Sequence, residues 1–65
     1  MEVKLNGNTH SVTPASTVND LIIELELEGK FAVEINNAII PRSEYAATEI
    51  RPGDTIEVVQ AIGGG

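Results

Sequence analysis

Apolar and polar residues alternate at the start of the chain, Met1-Glu2-Val3-Lys4-Leu5, which predicts a half-buried strand. Asn6-Gly7 follows, the pair preferred in a two-residue hairpin turn because both positions need positive φ. Thr9 to Thr13 reads as the returning strand with Val12 inward, and Pro14, which has no N–H for a ladder, stops it. The period then changes. Val18, Leu21, Ile22 and Leu25 fall at i, i+3, i+4 and i+7, one face of a helix that begins at Ser16 or Thr17. Thr17 and Asp20 have the spacing of a capping box. Gly29 is expected to supply the left-handed residue that ends the helix, with Lys30 complementing its C-terminus. Ile23 and Leu27 make a second apolar pair, expected to tuck under the following loop, the alternative being contact with a partner.

Alternation returns at Phe31-Ala32-Val33-Glu34-Ile35, a strand with Val33 and Ile35 on the core side. Asn36-Asn37 is a turn, since Asn tolerates positive φ. Ala38-Ile39-Ile40 is a short strand stopped by Pro41. Ser43 to Thr48 predicts one irregular helical turn, with Tyr45 as a lid on the core. Arg51-Pro52-Gly53-Asp54 fits a type II turn. The last strand follows, with Ile56 and Val58 on one face and Glu57, Val59 and Ala61 on the other. The expected fold class is α+β: a mixed sheet of about five strands, with one main helix on one face and the other face open. A domain over residues 1–62 and a flexible glycine tail over 63–65 make up the chain.

Sixty-five residues support one small core. Ten carboxylates against four bases give a charge of −6, which argues against nucleic acid and suits either a basic docking surface on a protein or simply a generic acidic solvated surface. No apolar run approaches the ~20 residues of a membrane span, and Met1 leads straight into strand-like alternation, so a cytoplasmic protein without membrane attachment is expected. With no cysteine there is no thiol nucleophile, and one histidine, His10, makes no metal cluster. His10 alternates with Val12 and reads as a partly buried strand residue rather than a base. No catalytic constellation and no metal site stand out, so the chain is not expected to be an enzyme.

The candidate chemistry lies in Gly63-Gly64-Gly65. Read as a terminus, Gly65 carries an unhindered α-carboxylate with a pKa of about 3.5, an anion at neutral pH and a usable nucleophile toward activated phosphorus. Gly63 and Gly64 let the chain lie extended in a narrow tunnel where a Cβ would clash. Three residues reach about 10 Å beyond Ile62. The plain alternative is a tail without a task. Val59, Ala61 and Ile62 form the candidate partner interface beside it, the alternative being ordinary exposed strand residues.

An ordered set of segments carries a family resemblance: Thr17-Val18-Asn19-Asp20-Leu21, Val33-Glu34-Ile35-Asn36-Asn37, Ile40-Pro41-Arg42 with Tyr45, Gly53-Asp54-Thr55-Ile56-Glu57-Val58-Val59, and Ile62-Gly63-Gly64-Gly65. The chain resembles the ubiquitin-like β-grasp proteins, and within the ThiS/MoaD superfamily it is similar to the ThiS-type sulfur carriers. Glu34 departs mildly, since these carriers usually have a small or apolar residue there. The resemblance implies a carrier for thiamine thiazole biosynthesis with no bound cofactor. A ThiF-type adenylyltransferase would use ATP to adenylate Gly65. Sulfur from a donor such as a cysteine desulfurase would convert it to a thiocarboxylate, and thiazole synthase would receive the sulfur. A MoaD-like carrier for molybdopterin and a ubiquitin-like protein modifier are the alternatives.

Overall fold

The computed structural model describes residues 1–60. Its strands are β1 (Glu2–Leu5), β2 (Asn8–Ser11), β3 (Phe31–Ile35), β4 (Ala38–Ile40) and β5 (Thr55–Gln60), with one helix, α1 (Val18–Glu24), between the second and third strands. The sheet order is β2-β1-β5-β3-β4. Two hairpins therefore form the flanks, and β5 lies between them, parallel to β1 and antiparallel to β3. A parallel pair cannot be closed by a tight turn, and the crossover here contains α1. This is the mixed β-grasp sheet that the family resemblance implies. Among the described residues no helix is long and apolar enough to cross a membrane.

Both hairpin turns have the predicted chemistry. Asn6 and Gly7 have φ of 49° and 85°, and Asn36 and Asn37 have 51° and 70°. Gly53 has φ of 81°, and the Asp54 N–H donates to the Arg51 carbonyl at 3.1 Å, closing the Pro-Gly turn that feeds β5. At the helix start the Asp20 N–H donates to Thr17 Oγ1 at 3.2 Å, and the Thr17 N–H donates to Asp20 Oδ2 at 2.9 Å. The reciprocal capping box is complete with Asp in place of Glu.

The helix ends earlier than Gly29. Glu26, not a glycine, takes the left-handed position with φ of 54°. The Glu26 N–H donates to the Ile23 carbonyl and the Leu27 N–H to the Ile22 carbonyl, the paired bonds of a Schellman ending. Gly29 has φ of 76° in the loop beyond, and the last helical turn contains no basic residue, so Lys30 does not serve that terminus. Shortening the helix also separates Ile23 from Leu27: Ile23 is 66% exposed, whereas Leu27 is half-buried. The second strand is Asn8–Ser11 rather than Thr9 to Thr13. Val12 is nevertheless buried, and its N–H donates to the Met1 carbonyl at 2.7 Å. The irregular turn begins one residue early, as a 3-10 helix over Arg42–Glu44.

One core lies between the sheet and the helix. Val3, Val33, Ile35 and Ile56 from the sheet meet Val18 and Leu21 from α1, and Tyr45 closes it as expected. Ile50 is fully buried too, although no periodic pattern marks it. The loop that carries it is strapped to the helix start: the Ile50 N–H donates to the Ser16 carbonyl at 2.8 Å, and the Val18 N–H donates to the Thr48 carbonyl at 2.9 Å.

Candidate tail-presenting surface

The candidate site is the end of β5 and the sheet face that the helix leaves open. β5 is the middle strand of the sheet, with main-chain partners on both sides. Side chains from both hairpin turns add to this. Asn6 Oδ1 accepts the Val58 N–H at 2.8 Å, and Asn36 Oδ1 accepts the Thr55 N–H at 2.9 Å. The Asn36 amide also donates to Asp54 Oδ1 at 3.1 Å, while Asp54 Oδ2 accepts the Arg51 N–H at 2.9 Å. The turn asparagines thus do two things: they adopt positive φ and they pin the strand that leads to the glycines. Their second role joins positions as many as 52 residues apart and has no local sequence signal.

The last described pairing of β5 is Gln60 with Phe31. Phe31 stacks on Tyr45, with centroids 6.2 Å apart and planes at 16°. The Arg42 guanidinium carbon lies 5.5 Å from the Phe31 ring centroid, within cation–π range. This aromatic clip fixes the end of β3 against which Gln60 pairs. Five residues follow Gln60 in the sequence, a fully extended span of about 17 Å.

Val59 is 59% exposed and lies on the open face, paired with Ala32 of β3. Ala61 and Ile62, the other proposed interface residues, and Gly63, Gly64 and Gly65 lie outside the described residues. His10 is on the opposite, helix-facing side of the sheet. Its Nε2 is 2.9 Å from Glu24 Oε2, tying β2 to the helix end. That contact is far in sequence from the tail and orients no nucleophile. A shallow recess lined by Glu2, Val3, Lys4, Thr9 and Gly53 contains no nucleophile–base pair. Among the described residues no group of three His, Asp or Glu converges on a metal position.

A family model described as the ThiS family matches residues 3–65. Thiazole synthase of Paramagnetospirillum magneticum is 39% identical over 66 aligned positions, which take in 100% of this chain and 20% of that protein. The chain thus spans about one fifth of the length of that curated relative. Sulfur carrier protein ThiS of Escherichia coli is 30% identical over 66 positions, covering 100% of both chains. The crystal structure of the thiamine biosynthesis protein ThiS from Geobacter metallireducens superposes with a TM-score of 0.85 at 28% identity, again over 100% of both chains. With the family pattern matched from the first strand to the final glycine and the same fold along the whole length, the chain belongs to the ThiS family.

Proposed function

We propose that the protein is a sulfur carrier in thiamine biosynthesis, a protein cosubstrate rather than an enzyme, with the Gly65 carboxylate as its reacting group. The observation that carries this reading is the end-to-end similarity to the Escherichia coli sulfur carrier. The thiazole synthase relative supports the choice of acceptor.

In this scheme a ThiF-type adenylyltransferase binds the carrier and ATP. A Gly65 carboxylate oxygen attacks the α-phosphorus, pyrophosphate leaves, and the acyl-adenylate makes the carbonyl carbon electrophilic. A persulfide sulfur, supplied through a donor such as a cysteine desulfurase, adds to that carbon and expels AMP. A donor-side thiol then attacks the other sulfur of the resulting acyl disulfide, forming a disulfide and releasing the acyl sulfur with both electrons of the S–S bond. The product is a terminal thiocarboxylate, whose sulfur passes to the substrate held by thiazole synthase. The carrier's own contributions are mechanical. Asn6, Asn36 and Asp54 hold β5 in register, and the glycines beyond Ile62 supply reach without side-chain bulk. With no cysteine in the chain, no side-chain thiol competes for the activated carbonyl.

Growth of a strain lacking the gene tests the pathway. The deletion strain is expected to require the thiazole moiety, and the intact chain is expected to restore growth without it. Normal thiamine synthesis combined with lost molybdoenzyme activity would instead assign the MoaD-like role.

A further inference from the structure

The open face carries a pattern that its position beside the tail does not by itself require. Glu34 of β3 and Glu57 of β5 are directly opposed across the antiparallel pair, and Ile39 of β4 stands opposite Glu34 on its other side. The next pair toward the tail is Ala32 with Val59. Ile39 is 71% and Val59 59% exposed, and these are two of the three large apolar side chains exposed among the described residues. Two opposed carboxylates therefore lie between exposed aliphatic groups.

Like charges directly opposite on neighbouring strands destabilise a sheet. Among the described residues nothing relieves them. The His10–Glu24 hydrogen bond lies on the other side of the sheet, and the Lys4 ammonium, on the open face, donates to Thr9 Oγ1 at 3.1 Å. An arrangement that is unfavourable in the free chain becomes favourable when a partner brings a cation between the two carboxylates. Aliphatic neighbours then exclude water from that contact and strengthen it.

Resting on the carrier reading above, we propose that thiazole synthase docks on this face by inserting an arginine or lysine between Glu34 and Glu57, with its apolar surroundings packed on Ile39 and Val59. The choice of occupant follows from the relative in which a segment like this whole chain makes up 20% of a thiazole synthase. Parts joined in one polypeptide meet at high effective concentration, which suits a modest, charge-steered interface. The tail length fixes what the cation does. Gly65 lies eight positions beyond Glu57, an extended reach of at most about 27 Å, so the inserted side chain belongs to the synthase's docking surface and is free to lie well outside its reacting centre.

The test is a titration of the full-length chain against the thiazole synthase of the same organism, at low and high salt. Glu34→Gln, Glu57→Gln, Ile39→Ser and the off-face control Glu28→Gln are compared with wild type. Either face glutamine variant is expected to raise Kd about tenfold at low salt and to flatten the salt dependence. The same variants are expected to raise Tm by about 2 °C, because the like-charge opposition is gone. Ile39→Ser should weaken binding with the wild-type salt slope retained, and Glu28→Gln should bind as wild type. Unchanged affinity in the face variants overturns the proposal, as does an equal loss in Glu28→Gln, a loss of stability together with affinity, or an effect confined to the adenylyltransferase. In each of those cases wild-type binding leaves the carrier reading standing. Absence of any wild-type binding to the synthase removes that reading and this inference with it.

Discussion

Deleting Gly65 is expected to abolish sulfur transfer and leave the fold untouched. Every described strand, the helix and the whole core lie within residues 1–60, so Tm should match wild type. The shortened chain still ends in a glycine carboxylate, but that carboxylate is retracted by about 3.5 Å. Misplacing a reacting group by even 1 Å can reduce a rate by about 100-fold, so thiocarboxylate formation should fall by at least that factor. The measurement is the initial rate of thiocarboxylate formation with activating enzyme, ATP and a sulfur donor, alongside a thermal melt. Transfer at the wild-type rate would make the tail incidental. A loss of both transfer and Tm would mean that the terminus supports the fold.

The second large effect is on stability. Ile56 is 0% exposed on the central strand, facing Leu5 of β1 and Ile35 of β3 in register. Truncation to alanine removes buried methyl and methylene groups where strands on both sides limit collapse, which costs about 3–4 kcal/mol. A domain of this size is stable by roughly 3–10 kcal/mol, so Ile56→Ala should be marginal or substantially unfolded at 37 °C. Urea unfolding at 15 °C should show a lower midpoint with the slope of wild type. Because β5 leads to the glycines, transfer should fall with the folded fraction and recover on cooling. A loss below about 1 kcal/mol would contradict the placement of Ile56 at the centre of the core.

Local chemistry explains which parts of this fold are legible in the sequence. Alternation marks β1, β3 and β5; Asn6-Gly7, Asn36-Asn37 and Pro52-Gly53 mark turns; Thr17 and Asp20 mark a helix start. Each is a signal contained within a few residues. The features that were hidden depend on contacts distant in the chain. Ile50 stands alone among polar neighbours, and it is buried because its loop bonds to Ser16. The parallel β1–β5 pairing and the Asn6–Val58 bond close across nearly the whole chain. The helix end misleads in a different way. A glycine is available at 29, yet the chain reverses at Glu26, a position where a side chain carries a steric cost. Of the candidate surface, the exposure of Val59 was legible from alternation, whereas the opposition of Glu34 and Glu57 required the strand register.

The most direct measurement is the mass of the chain after incubation with its cognate adenylyltransferase, ATP and a sulfur donor. Exchange of one oxygen for sulfur raises the mass by about 16 Da, nearly the shift produced by oxidising Met1 to its sulfoxide, so the modified peptide must be located. The account predicts the increment on the C-terminal peptide, dependent on ATP and absent when Gly65 is deleted. An unmodified C-terminal peptide in the presence of a competent cognate enzyme would contradict it.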